Sequence, residues 1–130
     1  MNFQLKTHKP GEPAPAFWIQ NKGNHAGRPL RKPIPNCFAV YSEEPYLFEY
    51  VYCLWKARLF EPQIIGSVIP FIRKKEMGEV LKMAKDTAKG REVCQKIRIA
   101  DKQISDMQKS IKLLFEMQRL FVLKYFRREP

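Results

Sequence analysis

The sequence predicts an α+β fold: a small, mainly antiparallel sheet with one buried helix, followed by a helical C-terminal half ending in a long coiled-coil-like helix. Three observations predict it. Nine of the ten prolines fall at or before Pro70, which makes regular helix scarce in the first half and leaves room for it in the second. Short aromatic and β-branched runs, bounded by turn formers, punctuate the proline-rich half. From Glu92 to about Arg127 there is no glycine or proline, and apolar residues recur in steps of three and four.

Residues 1–16, with KTHKPGEPAP at 6–15, read as an extended, flexible lead-in. A small α+β domain is expected over residues 17–90. Phe17-Trp18-Ile19-Gln20 is its first strand and Cys37-Phe38-Ala39-Val40-Tyr41 its second. Ser42 then suits a helix N-cap, with Glu43 and Glu44 in the favourable first turn and Pro45 tolerated there. That helix is expected to run to about Phe60 and stop before Pro62. Leu47, Tyr50, Val51, Leu54 and Trp55 make it apolar enough to be core. Residues 64–72, IIGSVIPFI, read as a third strand that Pro70 confines to an edge or a bulge. Met77, Val80, Leu81, Ala84 and Ala88 predict a basic helix over 74–89, with Gly90 as its break.

Residues 91–130 are expected to form the long helix. Its seam runs Val93, Ile97, Ala100, Ile104, Met107, Ile111, Leu114, Gln118, Phe121, Tyr125. Ile97, Ile104, Met107, Ile111, Leu114 and Phe121 are the candidate pairing residues. Leu113, Phe115, Leu120, Val122 and Leu123 lie off the seam, so the C-terminal end is apolar on several faces. A partner chain is the simplest cover for so much apolar surface, while packing of the helix on its own domain remains the alternative.

At 130 residues, with 45% hydrophobic residues, the chain has material for one domain with a modest core. The formal charge of +11 and pI near 9.8 point to a polyanionic partner, nucleic acid or an anionic membrane surface. No apolar run is long enough to span a membrane, and the N-terminus lacks a signal-peptide core, so a cytoplasmic location and no membrane partner are expected. Cys37, Cys53 and Cys94 are widely spaced and form no CxxC, which reads as buried thiols rather than a disulfide framework or a zinc site.

The charge is unevenly spread. Residues 1–42 hold six Lys and Arg against one acid, residues 43–73 three against four, and residues 74–130 fifteen against eight. Within the first region, residues 21–33 (NKGNHAGRPLRKP) combine two glycines, two prolines and four Lys or Arg. Lys22, Arg28, Arg31 and Lys32 are the candidates for phosphate contact, with Arg28 foremost. Asn21, Asn24 and His25 are placed to meet base edges. Arg73, Lys74 and Lys75 extend the same basic surface. Catalysis finds no support: there is no nucleophile elbow, Walker loop, HExxH or paired-carboxylate motif. His8 and His25 stand in proline-rich segments that read as exposed. No enzyme activity, cofactor or metal is expected.

The order of these features resembles a known family. Gly66-Ser67-Val68-Ile69-Pro70-Phe71-Ile72, then Arg73-Lys74-Lys75 and Glu76-Met77, is similar to the G-S-x-I-P-x-I segment and basic dipeptide that close a target-recognition domain in specificity subunits of type I restriction–modification enzymes. Gln95-Lys96-Ile97-Arg98-Ile99-Ala100-Asp101, Lys102-Gln103-Ile104, and Gln118-Arg119-Leu120-Phe121 with Lys124-Tyr125-Phe126 resemble that family's spacer helix. Gly23-Asn24-His25-Ala26-Gly27-Arg28 is similar to its glycine turn, one residue longer, and the basic helix at 74–89 stands where the family has a proline-rich entry. The likeness covers one truncated, divergent half, and extends to small uncharacterised bacterial families derived from such domains. It implies duplex DNA binding, and pairing with a second copy or a modification-subunit-like protein through the C-terminal helix. A regulatory or protein–protein module acting through that helix alone is the alternative.

Overall fold

The computed structural model describes residues 1–127 and is an α+β protein whose last element is a long helix. It divides into two compact units, Met1–Cys94 and a second that begins at Gln95. The first unit is built on a four-stranded antiparallel sheet in the order β1-β4-β2-β3, with β1 Gln4–Thr7, β2 Phe17–Gln20, β3 Pro29–Leu30 and β4 Cys37–Tyr41. β4 is central, and four of its five residues are buried. It pairs with β1 through Leu5↔Val40 and with β2 through Ile19↔Phe38.

β2 and β4 form where the apolar runs predict them. Two strands were not expected. β1 belongs to the stretch read as a free lead-in, yet residues 4–7 are an edge strand. Three of its four residues are exposed and polar and only Leu5 is half-buried, which leaves little pattern to read. His8 is also no solvated side chain: it is half-buried, and Trp18 Nε1 donates to its Nδ1 at 3.2 Å. β3 is two residues long and starts at Pro29, which an edge position tolerates because no outer neighbour needs its missing N–H.

The chain then enters α1 (Leu47–Lys56), later than expected. Ser42 Oγ accepts from Glu44 N at 3.1 Å, so it caps a turn ahead of the helix, not the helix itself. The C-terminus is sharper. Arg58 N donates to Trp55 O and Leu59 N to Leu54 O, both at 3.0 Å, around an Arg58 held at φ 62°. This is the paired closure that normally places glycine in the left-handed position. It ends the helix before Phe60, which turns inward and is buried. α1 lays Leu47, Tyr50, Val51 and Cys53 into the core, and Phe48 meets Phe17 edge to face, centroids 5.2 Å apart.

After a 3₁₀ turn at Glu61–Gln63, residues 64–72 make no regular third strand. Gly66 at φ +99° and the loop up to Pro70 break the ladder, leaving a single bridge, Ile65↔Phe71, within the segment. α2 (Lys74–Leu81) buries Met77, Val80 and Leu81 and stops there instead of at Lys89. α3 (Ala88–Phe126) starts afresh, with Thr87 Oγ1 accepting from Gly90 N at 2.9 Å as an N-cap does.

Gly90 is therefore inside a helix and not a break. Its missing side chain makes room for Tyr50, since a Cβ there would lie 2.5 Å from Tyr50 Oη. Tyr50 Oη in turn accepts from Thr87 N at 3.2 Å, and Arg91 grips both oxygens of Asp86 at 2.8 Å. These contacts tie the first turns of α3 into the first unit, so the boundary falls after Cys94. Cys37, Cys53 and Cys94 are all buried thiols. The second unit carries the remainder of α3. No helix among the described residues is long and apolar enough to cross a membrane.

Candidate functional site

The basic glycine segment begins as the turn of the β2–β3 hairpin. Gly27 N donates to Gln20 O at 2.7 Å and Gln20 N to Arg28 O at 3.0 Å, closing residues 21–27 into a compact loop. Two inner turns brace it, Ala26 N to Gly23 O and Arg28 N to His25 O. Gly27 sits at φ +95° directly on the buried Phe60 ring, where a Cβ would come within 2.6 Å of Cδ2. Only glycine meets both demands.

The loop is also stitched to the segment that follows α1. Gly23 N donates to Pro70 O at 2.8 Å and Ile72 N to Asn21 O at 2.9 Å, forming an antiparallel bridge between Lys22 and Phe71. Asn21 N reaches Asn36 O at 3.1 Å on the other side. Backbone pairing thus brings the two basic segments together: Lys22 lies in the bridge, and Arg73 follows it by two residues. Lys74 and Lys75 occupy the first turn of α2, where no side chain caps the helix and the helix dipole disfavours cations.

The expected contact residues take different parts in this arrangement. Lys22, Lys32, Lys74 and Lys75 are exposed, and among the described residues they enter no ion pair. Arg31 is held with its guanidinium carbon 3.5 Å from the centre of the Phe48 ring. Arg73 pairs with Glu76 at 3.5 Å. Asn24 is exposed at the rim of a groove shared with Trp55, Arg58 and Glu61. His25 is exposed and packs edge-on against Trp55, ring centroids 6.2 Å apart.

Arg28, the foremost candidate, is half-buried. Its Nη2 donates to Gln20 Oε1 at 3.2 Å, and Gln20 Nε2 donates on to Lys22 O at 2.7 Å. Arg28 braces the loop from inside, and its buried Nε has no hydrogen-bond partner among the described residues. Gln20 is the positioning residue that sequence reasoning missed, because nothing marks a strand-terminal glutamine as more than a polar edge. Val68 and Ile69 are exposed in the turn between Ile65 and Phe71, next to the basic bridge.

The pairing candidates lie on α3. Ile97 is half-buried, while Ile104, Met107, Ile111, Leu114 and Phe121 are 52–67% exposed. Leu113, Phe115, Leu120 and Val122 are exposed as well. Among the described residues, no three His, Cys, Asp or Glu side chains gather to hold a metal ion.

Fold and surface define a small α+β protein with a braced basic loop and a long helix exposing apolar side chains. The chain belongs to DUF6943, a family of unknown function whose model matches residues 5–124. No curated protein and no solved structure matches it.

Proposed function

We propose that the protein is a non-enzymatic, cytoplasmic DNA-binding protein, similar to a type I restriction–modification specificity-subunit half. It binds duplex DNA through the loop at residues 21–32 and the adjoining Arg73, Lys74 and Lys75. Its C-terminal helix pairs with another chain. The observation that carries the reading is the Lys22↔Phe71 bridge, which joins two cationic segments distant in sequence. Lys22 lies in that junction and Lys74 and Lys75 follow Phe71 within four residues; all three are exposed and, among the described residues, in no ion pair, the last two at a helix start where an anion would relieve the dipole. The rigid bracing of the loop means that little ordering entropy is lost on contact.

The test is anisotropy of labelled random-sequence duplex DNA over a salt series, comparing wild type with Lys22→Glu/Lys32→Glu and with Lys74→Glu/Lys75→Glu. Binding should weaken steeply with salt, at a slope near −0.9 per phosphate contact, and each double variant should flatten that slope by about 2. Absence of binding at low salt, or variants that bind like wild type, overturns the reading. In that case the exposed apolar face of α3 favours a protein–protein or regulatory module that does not touch DNA.

A further inference from the structure

We infer that the partner of the C-terminal helix is a second copy of this chain, aligned parallel and in register. This inference rests on the helix-pairing part of the proposal above and not on its DNA part. In heptad terms, Ile97, Ile104 and Ile111 occupy successive a positions, and Met107, Leu114 and Phe121 successive d positions. A β-branched residue at a with an unbranched Cβ at d is the combination that favours two parallel strands. The side chains at and beside this seam stand about half to three-quarters exposed from Ile104 to Tyr125. Covering them would remove on the order of 800 Å² from each copy, the area of a standard specific interface.

Direction follows from Gln118 and the flanking residues. Gln118 is the one polar residue at an a position between Ile97 and Tyr125. In a parallel pair a faces a, so Gln118 meets its own copy and the two amides can donate and accept mutually. In a fully overlapped antiparallel pair a faces d, and Gln118 would be set against Ala100 with its amide unsatisfied.

The flanks agree. Parallel pairing sets each g position against the e position five residues on: Lys96 against Asp101, Gln103 against Gln108, Met117 against Val122. Between Lys96 and Val122 these three pairs are matched in kind, and Ser110 against Phe115 is the exception. The antiparallel arrangement sets Lys96 against Lys124 and Asp101 against Phe115, each twice.

Two measurements on the full chain test this. Light scattering at about 50 µM gives the mass, expected to be twice the 15.4 kDa of one chain. Mild oxidation of Tyr125→Cys, at the last a position, should then give near-complete disulfide-linked dimer. Wild type should give none, because its three cysteines are buried. Tyr125 is exposed near the helix end, so the variant leaves the core intact. A dimer that fails to cross-link overturns the parallel register but leaves helix pairing standing. A larger mass, with Leu113 and Leu120 as the further contacts, overturns the two-chain inference. A monomer overturns helix pairing itself, while the DNA titration still decides the DNA reading independently.

Discussion

Replacing Gly27 by alanine tests whether the basic loop is seated as described. Two costs add at this position. The backbone stands at φ +95°, where an L side chain costs about 1–2 kcal/mol. The new Cβ would also lie 2.6–2.7 Å from Cδ2 and Cγ of Phe60, a ring with only 1% of its surface exposed. The ring cannot yield without disturbing its neighbours, and overpacking of this kind costs a further 1–3 kcal/mol or so.

Gly11 and Gly23 supply the controls. Their φ values of +89° and +93° carry the same backbone cost. At Gly11, however, a Cβ meets nothing within 4 Å, and at Gly23 it meets only the end of the flexible Gln20 side chain at 3.3 Å. Urea unfolding followed through Trp18 and Trp55 fluorescence reads the difference. With a slope near 1.5 kcal/mol per molar, Gly11→Ala and Gly23→Ala should each lower the midpoint by roughly 0.7–1.3 M, and Gly27→Ala by about 2 M or more, at unchanged slope. Equal shifts for all three would refute the seating of the loop on Phe60.

Two further outcomes follow from the same geometry. Arg58 occupies the left-handed closing position of α1 and gains only an exposed 3.7 Å pair with Glu61. Arg58→Gly should therefore stabilise the protein by about 0.5–1 kcal/mol, since the strain removed exceeds what such a surface pair contributes; a lower urea midpoint would contradict this. Asp86 is drawn below its ordinary value of 3.8, chiefly by the hydrogen bonds from Arg91. The unfolded chain therefore binds this proton first on acidification. The contribution of the pair is whole above the ordinary value and fades as pH falls through the lower folded one. Between about pH 5 and 3 wild type should lose more stability than Asp86→Asn, and parallel losses in the two proteins would show that Arg91 does not hold the carboxylate.

What the sequence disclosed and what it withheld divide along the range of the interactions. β2, β4 and α1 bury aromatic and branched side chains at strand or helix spacing, so burial prints itself on the residues that undergo it. β1 owes its existence to β4, more than thirty residues away, and an edge strand with a single half-buried apolar residue, Leu5, leaves almost no such print. Gly90 shows the converse failure. Glycine is a local signal for a helix end, yet here it marks the place where Tyr50, forty residues earlier, comes closest. In the candidate site, composition alone singles out the basic loop, because uncompensated charge is a property of the segment.

The division of labour within that loop is not such a property. Lys22 and Arg28 look interchangeable as cations, and Arg28 looks the stronger phosphate ligand. The hairpin nonetheless turns Arg28 inward onto Gln20, while Lys22 stays exposed in the bridge to Phe71. A charge reversal at Arg28 would thus remove a brace along with a charge, and lost DNA binding in that variant would not tell the two apart. The same reversal at Lys22 and Lys32 changes exposed charges in no ion pair among the described residues. Loss of binding there would report on the contact surface itself.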